Sequence, residues 1–186
     1  GSTCIICADC GDSECCDCDG NIYETVQIGD QVWMAENLKT TKYRDGSAIP
    51  TGHSDSEWAN LSSGAYAVYP TDDDEASQST CGDDCADVYG NLYNWYVIDD
   101  DRGVCPDGWH VPSDDEIMEL EMYLGMSEEE ANSSGWRGTD EGSKLAGNSD
   151  LWNDGDLENN SEFGTSGFNV LPAGYRWNDG GNDDDM

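Results

Sequence analysis

Apolar residues fall into short clusters with two kinds of spacing. From residue 22 to 33, Ile22, Val26, Ile28, Val32 and Trp33 alternate roughly with polar positions and are interrupted by Gly29-Asp30. That spacing predicts a β-hairpin. Asp19-Gly20 and Asp45-Gly46 mark tight turns on either side. "AYAVYP" (65–70) reads as a short strand and "YGNLYNWYVI" (89–98) as a core element. "SGFNVLPAGYRW" (166–177) reads as a buried strand and turn. One stretch has helical spacing, "PSDDEIMELEMYLG". Ser113 is placed to cap it, with Glu116 three residues on as a capping box. Asp114 and Asp115 sit where the helix dipole favours anions. Ile117, Leu120, Met122, Tyr123 and Leu124 supply an apolar face, and Gly125 ends it. The prediction is a loop-rich α+β fold with one main amphipathic helix near 113–124.

Composition makes the core small and aromatic. Apolar residues are 36% of the 186, but 7 Trp, 9 Tyr and 2 Phe are among them, and each aromatic buries a large area. Charge then restricts the partners. Forty-one acidic residues face 7 basic ones, a net charge of −34. Such a chain repels nucleic acid and anionic membrane surfaces, and it repels itself when compact. High salt, bound divalent cations or dispersal over a solvated surface offset this. Oxygen-rich loops suit calcium. The candidate ligands are Asp99 and Asp101 in "DDDRG", and Asp154, Asp156 and Glu158 in "NDGDLENN". Neither stretch completes an EF-hand, since a loop begun at Asp99 reaches His110 at its twelfth position. The Asp-x-Asp-Gly spacing of "DCDGN" (17–21) is better explained as a hairpin turn. No apolar run is long enough for a membrane span.

Nine cysteines point to an oxidising compartment. Cys4, Cys7, Cys10, Cys15, Cys16 and Cys18 lie in an N-terminal arm, residues 1–18; Cys81, Cys85 and Cys105 follow. Disulfides are favoured over a metal cluster, because no later Cys or His pair completes a tetrahedral site. Cys81 and Cys85 are spaced to close a local loop. The odd total leaves at least one thiol free or joined between chains. Chemistry of the enzymatic kind is not marked. His53 and His110 have no partner motif, and carboxylates are too abundant for any pair to be diagnostic. No phosphate loop, nucleophile elbow or dinucleotide fingerprint is present.

Several long blocks carry a family resemblance: "DGNIYETVQIGDQVWMAENLKTTKYRDGSAIP", "AYAVY", "YGNLYNWYVIDDDRGVCPDGWHVPSDDEIMELEMYLG", "KLAG" and "SGFNVLPAGYRWNDG", in that order. Together they resemble the Fibrobacter succinogenes major paralogous domain, a secreted or cell-surface family of bacteria. The resemblance covers residues 19–181, with 182–186 left as an acidic tail. Ile117 stands where the family usually has Trp. The family's closing Gly-Phe-x-Val-Arg-Cys strand has no counterpart, which implies an open sheet edge and removes the natural partner of Cys105. "GWHVPSDDEIMEL" also resembles a block of formylglycine-generating-enzyme-like domains. That resemblance implies a C-type-lectin-like, disulfide-bonded fold, without the cysteines those enzymes use.

The expectation is therefore an extracellular or cell-surface protein without enzymatic activity. It would self-assemble into a filament or other homopolymer through its N-terminal arm and open edge. The alternative is a carbohydrate-binding or adhesion module. There Trp58, Trp136, Trp152 and Trp177 would stack on polysaccharide, with calcium as a possible bridge to hydroxyls.

Overall fold

The structure, a computed structural model of the 186-residue chain, describes residues 14–68, 85–179 and 182–183. In chain order the elements are β1 (Glu14–Cys16), β2 (Ile22–Ile28), β3 (Gln31–Met34), α1 (Asp55–Trp58), β4 (Tyr66–Ala67), α2 (Cys85–Tyr89), β5 (Leu92–Tyr93), α3 (Trp95–Ile98), α4 (Asp114–Leu124), α5 (Glu128–Ala131) and α6 (Glu141–Leu145). A 3-10 turn (Ser149–Leu151), β6 (Tyr175–Arg176) and β7 (Asn182–Asp183) complete them. The fold is mixed α+β with short elements. It divides into two compact units. The first draws on the stretches before Tyr23, between Glu36 and Val111, and after Leu171; the second on Tyr23–Glu36 and Val111–Leu171.

In the first unit, Tyr43, Ile49, Val97, Val104 and Cys105 form the buried centre, with Tyr66, Tyr93 and Trp109 packed against it. β4 and β5 pair antiparallel, Tyr66 opposite Tyr93 and Ala67 opposite Leu92. Asn94 caps α3 by accepting from the Val97 amide. The same side chain accepts from the Ala65 amide at 3.1 Å and donates to the Ser63 carbonyl at 3.0 Å, so it also ties the loop before β4. Besides the Lys42–Ala48 bridge and backbone bonds to the Leu38 and Thr41 carbonyls, the 37–42 loop is held by side chains. Asn37 Nδ2 donates to the Tyr89 carbonyl at 2.8 Å, Asn91 Nδ2 to the Lys39 carbonyl at 3.0 Å, and the Tyr93 hydroxyl to the Thr40 carbonyl at 2.7 Å. "YGNLYNWYVI" is thus partly core: Tyr89 and Val97 are buried, while Trp95 and Tyr96 are 68% and 44% exposed. A helix of one turn covers one side only.

In the second unit, β2 and β3 form the hairpin, with Ile28 opposite Gln31 and Val26 opposite Trp33. Gly29 in the turn has φ +62°, and the Tyr123 ring lies where a Cβ would project, so both space and backbone require glycine. The core is Ile28, Trp33 and Leu120, with Val26, Ile117, Leu124, Leu145 and Phe168 against it. The Trp33 and Phe168 rings meet at 5.3 Å, tilted by 54°. α4 starts with the reciprocal capping box of Ser113 and Glu116, the Ser113 amide donating to Glu116 at 2.8 Å. Gly125 closes it at φ +126°.

Two expectations need correction. Ile22 and Val32 are 60% and 52% exposed, and the buried residues of β2 are Tyr23 and Ile28. These two differ in parity, so opposite faces of β2 are covered at its two ends, which simple alternation does not anticipate. On α4, Met122 and Tyr123 point outward, and Leu120 alone is fully buried.

The Tyr43 hydroxyl is buried without a hydrogen-bond partner and occupies the space a Gly64 side chain would need. In urea unfolding, Tyr43→Phe should therefore leave stability unchanged or raise it by up to about 1 kcal/mol. Gly64→Ala should lower it by about 1–3 kcal/mol.

Candidate functional site

The indoles singled out by sequence separate by environment. Trp58 is core, 8% exposed, and is not available for stacking on a ligand. The Arg176 guanidinium lies 4.4 Å over its ring, donating to the His53 carbonyl at 3.1 Å and to Asp55 at 2.9 Å. Trp152 is half-buried and donates to the Gly147 carbonyl at 2.9 Å. Trp136 is fully exposed and Trp177 is half exposed. In β6, Tyr175 supports Trp177 edge-on at 4.9 Å and 83°. Trp95, in a stretch expected to be core, is the third exposed indole. Its polar neighbours in "YNWY" were the available signal.

The acidic candidates are not gathered around a common point. Asp99 caps α3 at its C-terminus and is exposed, as is Asp101. Asp154 and Glu158 accept from Asn159 Nδ2 at 2.9 Å and 2.7 Å, so they converge on an amide. Asp156 is exposed. Among the described residues, no group of three or more His, Cys, Asp or Glu is placed to hold a metal ion. In "DCDGN" the carboxylates close the turn themselves. Asp17 accepts from the Asp19 and Asn21 amides at 2.9 Å and 3.0 Å. Asp19 accepts from the Thr41 amide at 2.6 Å and pairs with Lys42 at 2.8 Å. Burial of Asp19 opposes ionisation, but its bonds to Lys42, Thr41 and Thr40 outweigh this and hold its carboxyl below the usual range.

All seven cations of the chain are in ion pairs. These are Lys39–Asp87, Lys42–Asp19, Arg44–Asp107, Arg102–Asp100, Arg137–Glu121, Lys144–Asp140 and Arg176–Asp55. The tightest geometry is a fork: Arg102 Nε and Nη2 meet the two Asp100 oxygens at 2.8 Å and 2.7 Å. Its guanidinium also lies 3.7 Å over the Tyr43 ring. The Arg102 side chain pulls the Asp100 carboxyl down to about 2.

Cys18 and Cys85 are each disulfide-bonded. Cys16 is half-buried. Cys105 is a buried thiol, and burial, partly countered by Arg44, pushes its pKa up. It is thus an unreactive core residue rather than a disulfide half. Cys4, Cys7, Cys10, Cys81 and the side chain of Cys15 lie outside the described residues. His110 is exposed, and His53 Nε2 is buried without a partner.

The family model described as "Fibrobacter succinogenes major domain" matches residues 26–185. No curated protein and no solved structure matches the chain.

The Asp100 carboxyl has its folded pKa lowered from 3.8 to about 2. Its stabilising effect is complete above the higher value and disappears as pH falls through the lower one. Unfolding midpoints across that interval should drop more steeply for the native chain than for Asp100→Asn.

Proposed function

The chain belongs to the Fibrobacter succinogenes major domain family, and on that premise we propose that it is an extracellular, non-enzymatic surface protein that assembles with copies of itself. The observation that carries this reading is the edge of the second unit's hairpin. Ile28 and Gln31 flank a two-residue turn, and the Ala35 amide bonds the Glu24 carbonyl at 2.8 Å. In that register the backbone groups of Val32 and Met34 point away from β2. Among the described residues no second strand lies beside β3. The Val32 side chain adds apolar surface there. Such an edge is a template for a strand from another chain.

Three further features support the reading. The disulfides at Cys18 and Cys85 suit an oxidising compartment. The turn, cap and helix of residues 104–125 suit a C-type-lectin-like scaffold, which presents loops and short strands rather than a preformed catalytic cleft. A cysteine-rich arm on every copy offers a covalent link to the next. Contacts that pair one patch with a different patch propagate as rings or filaments.

Mutual repulsion at −34 makes assembly depend on ionic strength. Sedimentation velocity of the full chain at increasing salt should show larger species as salt rises. Val32→Lys, which places a charge on the edge, should shift the distribution to monomer without lowering the melting temperature. A monomer at every salt and protein concentration overturns the proposal.

A further inference from the structure

A cleft of about 400 Å³ opens in the second unit, between the turn that follows α6 and the 163–169 loop. Two observations set it apart from ordinary loop surface. The first is backbone conformation. Among the described residues, the non-glycine positions with positive φ are Asn148 (+51°) and Asn169 (+65°), and both line this cleft. Asparagine tolerates that region better than other residues. Even so, left-handed residues persist where surrounding structure fixes them, and they concentrate at binding sites.

The surrounding structure here is well tied. Ala146 and Val170 form a parallel bridge. The Gly147 amide bonds the Val170 carbonyl and the Gly164 amide bonds the Ser143 carbonyl, each at 2.9 Å. Asn169 Nδ2 donates to the Ala35 carbonyl at 3.3 Å, and its Oδ1 lies over Gly147, where a Cβ would collide with it. The Asn169 side of the cleft is therefore fixed by hydrogen bonding and packing, and Asn148 follows directly on the bridged Ala146–Gly147 segment.

The second observation is chemical. No charged side chain lines the cleft, although the chain carries 41 acidic residues. The polar groups present are the carboxamides of Asn148 and Asn169 and the Ser149 hydroxyl. Asn148 and Ser149 are exposed and make no side-chain hydrogen bond to the described residues. Each carboxamide or hydroxyl both donates and accepts. Phe163, half-buried, supplies an apolar ring. Without a carboxylate the lining is a poor calcium site, and without a cation it is a poor anion site. The volume falls in the range of small-molecule sites, roughly 300–1,000 Å³.

We infer that this cleft binds a neutral oligosaccharide, with Asn148, Ser149 and Asn169 meeting its hydroxyls and Phe163 packing on its C–H face. This is independent of assembly through β3, of calcium and of the exposed indoles. A neutral sugar is also a ligand that the negative field of the protein does not repel.

Calorimetric titration of the full chain with cellotetraose, xylotetraose, mannotriose and an anionic control, oligogalacturonate, tests it. At least one neutral sugar should bind, equally well with and without chelator, and the anionic one should not. Asn148→Gly accommodates the positive φ while deleting the carboxamide. It should weaken binding about tenfold with no loss of melting temperature, and Phe163→Ala should weaken binding as well. Trp136→Ala should leave it unchanged. Absence of binding to every neutral sugar overturns the assignment. So does binding that survives both cleft variants, that is lost with Trp136→Ala, or that requires calcium.

Discussion

The scarcity of positive charge constrains everything else in this protein. Seven cations stand against 41 carboxylates, and the fold places at least four of the seven where they also tie backbone or rings. Arg102 grips Asp100 and covers the Tyr43 ring at the centre of the first unit. Arg176 draws β6 onto Trp58 and the His53 carbonyl. In the second unit, Lys144 Nζ caps the end of α4 at the Leu124 carbonyl, 2.7 Å away, while pairing with Asp140. Arg137 joins Glu121 to the Ser133 carbonyl. Exposed ion pairs alone contribute little. These side chains matter because each also covers an aromatic ring or satisfies a backbone carbonyl that the short elements leave over.

A consequence follows for recognition. With its cations committed to internal pairs, the surface presents carboxylates, three exposed indoles, a short strand edge and a neutral cleft. Anionic partners meet repulsion without compensation. A second copy meets the same repulsion until salt or divalent ions screen it, and the proposed contact through the β3 edge requires that screening. A neutral saccharide meets none. The assembly and cleft proposals thus share one electrostatic logic while using different surfaces.

What the sequence revealed depended on how local the signal was. α4 was legible to within a residue because Ser113, Glu116 and Gly125 encode its ends by their own backbone chemistry. The hairpin turn at Gly29-Asp30 was legible for the same reason. The facing of β2 was not, since its buried residues, Tyr23 and Ile28, lie on opposite faces. Nor was the burial of Trp58, which packs with Ala65, Ala67 and Leu61 and has Arg176, from far along the chain, over its ring. Asp154 and Glu158 were read as calcium ligands from spacing alone. Asn159, in the same loop, is the partner that acidic spacing does not reveal. The cleft was invisible: Asn148 and Asn169 look like ordinary loop residues until the bridge of Ala146 to Val170 brings their segments together.

The central claim is that unpaired negative charge dominates over the seven pairs, which act as local staples rather than a net electrostatic glue. Raising sodium chloride from about 0.01 M to 1 M shortens the screening length from roughly 30 Å to 3 Å. The most direct test is the urea midpoint of the full chain across that series, at a protein concentration low enough to keep it monomeric. A midpoint that climbs steadily with salt is the predicted result. A midpoint that falls would show that attraction between the pairs outweighs the repulsion, and would contradict the account.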